Sequence, residues 1–178
     1  LMIDELVVRA TRGDRVRNYY DISVIGYQQH DIAPIIPDNC YEFISISELS
    51  RQAKRHKAWC FTENSSEENP DFLLREWIKP TAMGLTPMHT ALTHIYTLVN
   101  DWCSKQENRN SFPPIVFNIS DGEANDATPA ELIQIAEQIR QTGTKDGNTL
   151  FINIHLGKLN DVASEIFPSD GYFVPQSE

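Results

Sequence analysis

The sequence predicts a doubly wound α/β fold, a mostly parallel sheet with helices on both faces. Three observations predict it. Short apolar runs rich in β-branched residues recur at Asp21–Tyr27 (DISVIGY), Ile115–Ile119 (IVFNI) and Thr149–Leu156 (TLFINIHL). Their nearly continuous apolar character is that of strands buried on both sides, as parallel strands usually are. Helical patterns with clear start signals precede and separate the last two runs, giving the strand–helix alternation of a parallel sheet.

Bulk properties agree with one domain spanning 1–178. That length lies within the usual single-domain range, and with 40% hydrophobic residues it needs no disulfide staples. The excess of 25 Asp+Glu over 15 Lys+Arg leaves a formal charge of −10, which argues against nucleic acid as a partner. No apolar run approaches the ~20 residues of a membrane span, so no membrane partner is expected. Cys40, Cys60 and Cys103 are an odd set without Cys-x-x-Cys spacing. They read as reduced thiols of a cytoplasmic protein.

The elements follow in order. Met2, Ile3, Leu6, Val7 and Ala10 share one helical face within Leu1–Arg12, and Gly13 is placed to stop that helix. The segment opens in mid-pattern without a cap, so the element is expected to begin upstream. Asp21–Tyr27 is the first strand, with Tyr19 and Tyr20 packing at its start. From Gln28 to Lys79 the pattern is irregular, broken by Pro34, Pro37 and Pro70. Within it Phe43–Ile46 reads as a short strand, Ser47–His56 as a helix capped by Ser47, and Thr62–Pro70 as a mobile surface loop. Trp59, Trp77 and Trp102 read as packing aromatics.

The pattern sharpens from Pro80. Pro87 is placed as the first residue of a helix whose apolar stripe is Met88, Leu92, Ile95, Val99 and Trp102, ending near Asn108. After the Ile115–Ile119 strand, Thr128-Pro129-Ala130-Glu131 has the capping-box form with proline at the first helical position. That helix carries Leu132, Ile135, Ala136 and Ile139 and is ended by Gly143.

Ligands of such sheets bind beyond the C-terminal ends of the strands, here after Tyr27, Ile119 and Leu156. After Ile119 the loop Ser120-Asp121-Gly122-Glu123-Ala124-Asn125-Asp126 brings three carboxylates and an amide together. A hard cation such as Mg²⁺ needs clustered oxygen ligands, yet Asp and Asn also form ordinary turns, and the loop alone leaves both readings open. Thr86, in Gly84-Leu85-Thr86-Pro87-Met88, sets a hydroxyl just ahead of a long helix. Alone it reads as an N-cap, although the same oxygen can face a cation.

Together the segments GLTPMHTAL and PPIVFNISDGEAND resemble the second and third pieces of the metal-ion-dependent adhesion site of von Willebrand factor type A (vWA) domains. The order also matches: threonine loop, long helix, apolar strand, Asp-Gly. RVRNYYDISVIGY is similar to the first helix and second strand of bacterial, intracellular members. The resemblance implies a Rossmann-like vWA fold and a divalent cation, Mg²⁺ or Mn²⁺, held by Thr86 and Asp121, with Ser120 and Glu123 supporting them. It implies a protein–protein interaction module, not an enzyme, within a larger bacterial complex or signalling system. A partner's acidic side chain would complete the coordination. The family's first motif, D-x-S-x-S, does not occur in the sequence; the resemblance places it upstream of the Leu1–Arg12 helix, so the domain is expected to be truncated there. The family's last helix and strand exceed what Phe167–Glu178 provides, so an incomplete C-terminus is expected too. Without the first motif the metal can be lost.

The rival reading is a Mg²⁺-dependent phosphatase-like hydrolase of the same layout, with its nucleophile on the missing first strand. Against it, no lysine stands clearly near a strand end to hold a phosphoryl group; Lys145 and Lys158 are no more than candidates. The sequence has no G-x-x-x-x-G-K-[ST] loop and no G-x-S-x-G elbow. His89 and His94 are five apart and share a helical face poorly, and His155 reads as a rim histidine.

Overall fold

The computed structural model describes residues 2–29, 31–36, 43–52, 54–59, 68–77 and 84–156. They form a mixed helix and strand structure with two apolar cores.

The first core belongs to the N-terminal half. Helix α1 (Met2–Ala10) buries Ile3, Val7 and Ala10, the helical spacing read from the sequence. The helix ends at Ala10, before Gly13. The chain turns there into a hairpin of β1 (Thr11–Arg12) and β2 (Arg15–Val16), and Gly13, at φ +63°, sits in its turn. Two short strands replace the single expected run: β3 (Asp21–Ile22) and β4 (Ile25–Gln28). Each takes its own partner, which explains the break at Ser23-Val24. β3 pairs antiparallel with β6 (Ile44–Ser45), and β4 pairs antiparallel with β5 (Asp31–Pro34). All four residues of β4 are half-buried, short of the burial expected.

Helix α2 (Ile46–Gln52) is shorter than expected and starts one residue earlier. Its first turn is tied by Ser45, whose Oγ accepts from the Glu48 amide at 3.3 Å, a role assigned in the sequence to Ser47. Ile46 and Leu49 pack with Trp77 into the core of α1. Beyond α2 the backbone forms an antiparallel pair, β7 (Lys54–Trp59) with β8 (Glu68–Glu76). The expected helix to His56 and the loop end at Glu68–Pro70 are therefore strand. Residues 62–67, Cys40, Cys60, Lys158, the Phe167–Glu178 tail and the Trp59 side chain lie outside what is described. Tyr19 and Tyr20 are exposed, edge to face with each other, instead of packed beneath the strand.

The second core is a β–α–β unit with a long helix laid against it. Helix α3 (Met88–Ser104) is followed by a single 3₁₀ turn at Gln106–Asn108. Strand β9 (Ile115–Ser120) leads to helix α4 (Pro129–Gln141). A small hairpin of β10 (Gly143–Thr144) and β11 (Gly147–Asn148) then leads to β12 (Leu150–His155). β12 runs parallel to β9 in the register Leu150↔Ile115 through His155↔Ser120. The capping box at the start of α4 is formed as the sequence predicts: Thr128 Oγ1 accepts from the Glu131 amide, and Glu131 Oε2 accepts from the Thr128 amide at 2.8 Å.

Leu92 of α3 meets Ile135 and Ile139 of α4, with Val116 of β9 and Phe151 of β12 beneath them. Those strand residues lie on one face of the pair. On the other face Ile115, Phe117, Ile119, Leu150 and Ile154 are 36–53% exposed, so both strands are covered on one side only among the described residues. This corrects the expectation of two fully buried strands.

The two halves meet at both ends of α3. Ahead of its first turn the Gln29 amide donates to the Leu85 carbonyl at 2.8 Å, and in its last turn the Trp102 ring lies 6.1 Å from that of Phe43.

Candidate functional site

The parallel pair fixes where the candidate residues fall. Ser120 is the last residue of β9, so the acidic loop leaves the C-terminal edge of the strands, and His155 ends β12 opposite it as an exposed rim residue. Thr86 lies just ahead of α3, which packs against α4 on the covered face. Strand β9 and helix α3 therefore aim the two loops at one another.

They meet at Gly122. A Cβ built on this glycine would lie 3.4 Å from Thr86 Oγ1, so the threonine hydroxyl faces Gly122 across the space of one side-chain atom. Two hydrogen bonds hold the loops at this distance: the Thr86 amide donates to Asn125 Oδ1 at 2.7 Å, and the Asn125 amide donates to the Thr86 carbonyl at 3.1 Å.

Thr86 is not the cap of α3. The helix starts at Met88, Pro87 occupies the cap position, and no side chain at that position bonds the first turn. The free amides are taken by Asp126 instead. Its Oδ1 accepts from the His89 amide at 3.0 Å, and its Oδ2 accepts from the Thr90 amide at 2.9 Å and the Thr90 hydroxyl at 2.8 Å. A carboxylate here also complements the positive end of the helix dipole. Partial burial pushes the Asp126 carboxyl up, but the bonds from Thr90 and His89 outweigh it and hold the group below the usual aspartate range.

The loop's polar groups thus divide. Asn125 and Asp126 are consumed in fastening the loop to α3. Ser120 closes its own turn, its Oγ donating to the Gly122 carbonyl at 2.9 Å and lying 3.2 Å from the Gly122 amide. Asp121 and Glu123 are exposed, and among the described residues neither carboxylate has a hydrogen-bond or ion-pair partner. The Thr86 hydroxyl likewise makes no hydrogen bond among them. The structure therefore brings Thr86 and Ser120 to the two sides of Gly122, leaves Asp121 and Glu123 exposed on the same loop, and gives the third carboxylate a structural task.

Tyr27 was not singled out from the sequence, although it ends the strand whose exit was marked as a ligand edge. Its hydroxyl donates to Asn118 Oδ1 at 2.9 Å, and Asn118, buried in β9, donates from Nδ2 to Asn153 Oδ1 of β12 at 2.7 Å. Burial pushes the Tyr27 phenol up; a hydrogen bond with Ser120 lowers it, and the Asp121 charge raises it again. The chain matches no protein-family model, no curated protein and no solved structure.

Among the described residues no three His, Cys, Asp or Glu side chains converge as a metal would need. A cation held here would draw on hydroxyl oxygen as well as carboxylate. A cleft of about 160 Å³, lined by Gln29, Leu85, Pro87, Thr90, Asn125 and Asp126, adjoins the loops. Among the described residues no helix is long and apolar enough to cross a membrane.

Proposed function

We propose that this chain is a metal-assisted protein-binding module, not an enzyme, built on a doubly wound vWA-like sheet of which β9–α4–β12 is a part. The observation that carries the reading is the nearness of the Thr86 hydroxyl to Gly122, the residue that follows Asp121. Two oxygens from residues 35 apart in sequence lie at one strand end, and neither is spent on a hydrogen bond among the described residues.

These groups suit a hard cation such as Mg²⁺ or Mn²⁺. Thr86 and Asp121 would hold it directly, Ser120 would keep the turn that aims Asp121, and Glu123 would stand at the rim. A neutral hydroxyl and one carboxylate leave most of a divalent charge uncancelled. The bound ion would attract an acidic side chain from a protein partner, which the net charge of −10 would otherwise repel. The helix terminus next to the site does not add to the positive field, because Asp126 already offsets it.

The hydrolase reading gains nothing from the position of Lys145. It follows β10, at the end of the unit from which β12 starts, away from the acidic loop.

Calorimetric titration of Mg²⁺ and Mn²⁺ into the natural chain tests the proposal. Saturable binding that is lost in both Thr86→Ala and Asp121→Ala is expected. Binding retained in both variants would place any metal elsewhere and remove this function.

A further inference from the structure

At the opposite end of α3, about 25 Å from the acidic loop by helix length, three cations gather in this acidic chain. Lys105 terminates α3, Arg109 follows the 3₁₀ turn, and Lys145 lies in the β10–β11 turn. All three line a cavity of about 340 Å³, together with Gln106 and Thr144.

The backbone sets them there. The Lys145 amide donates to the Arg109 carbonyl at 3.0 Å, joining the two loops that carry the charges. Thr144 Oγ1 donates to the Ser111 carbonyl at 2.7 Å, pinning the hairpin beside them. The hairpin closes tightly: a Cβ on Gly143 would run into the Gly147 carbonyl and the Asn148 Cα, so only glycine permits this approach.

Among the described residues none of the three cations has an ion-pair partner. Glu107 and Asp146 belong to the same two loops but do not line the cavity. The α3 C-terminus contributes only about half a negative charge, well short of three cations. We propose that this cavity binds a small phosphate-bearing molecule. Its volume lies at the small end of ordinary ligand pockets. A guanidinium and two ammonium groups match the several oxygens of a phosphate.

The test is calorimetric titration of the whole chain with inorganic phosphate and with pyrophosphate at low ionic strength. Sodium chloride at matched ionic strength is the reference. Saturable binding is expected, tighter for pyrophosphate. Arg109→Ala and Lys145→Ala should each weaken it roughly tenfold. Lys105→Gln is a milder variant should either be poorly folded, and it should weaken binding in the same direction. Arg9→Ala, at a cation already paired with Glu5 on α1, should leave binding unchanged. No saturable heat, the same heat with chloride, or unaltered binding in the cavity variants would each overturn the proposal.

Discussion

The two halves of the Ser120–Asp126 loop carry similar residues and do different work. The second half, Asn125 and Asp126, is fastened by direct hydrogen bonds to Thr86 and to the first turn of α3, where Asp126 caps the amide of His89, 37 residues earlier. The first half keeps Asp121 and Glu123 exposed and without hydrogen-bond or ion-pair partners among the described residues, and sets Gly122, next to Asp121, near a threonine hydroxyl that also makes no hydrogen bond among them. A carboxylate that satisfies helix amides is already committed and makes a poor ligand. One left unsatisfied beside another oxygen is available for binding. The rigid half positions the open half.

Substitutions should separate the two. The largest effect expected is on cation affinity: Asp121→Ala should weaken Mg²⁺ binding by at least about a hundredfold, measured by calorimetry. Asp126→Ala should act on the fold instead, costing about 1–2 kcal/mol through the lost cap and lowering the melting temperature by several degrees. Equal loss of stability in the two variants would erase the distinction.

The pH dependence sharpens it further. Asp126 has a lowered folded-state pKa, so the unfolded chain binds the proton more readily. Its contribution is fully present above the unfolded aspartate value of about 3.9 and is lost as the pH falls through the lower, folded value. Asp126→Asn should therefore flatten the acid limb of a stability–pH curve, and an unchanged limb would contradict the bonding described. The smallest effect is Asp121→Ala on stability, expected within about 0.5 kcal/mol because the side chain is exposed and makes no structural bond.

Legibility followed the range of the interactions. The capping box of Thr128 and Glu131 was readable because its partners are three residues apart. The stripes of α3 and α4 were readable because they repeat with the helical period, and β9 and β12 because each is a short apolar run rich in β-branched residues. The Asp126 cap was not, since nothing local marks a carboxylate as the partner of an amide 37 residues away. The same holds for the break between β3 and β4, imposed by two different partner strands. Ser45 and Ser47 flank the first residue of α2 alike, and only the backbone geometry chooses Ser45. At the site, Thr86 and Asp121 were singled out by the resemblance of two segments and their order, since each segment alone left an ordinary turn or cap open. Their separation from Asn125 and Asp126 needed the fold.

The most direct test follows backbone amide resonances during a Mg²⁺ titration. The account predicts saturable shifts centred on Thr86, Asp121 and Gly122, with His89, Thr90 and Asp126 little changed. An absence of saturable shifts, or shifts centred on the α3 cap, would contradict it.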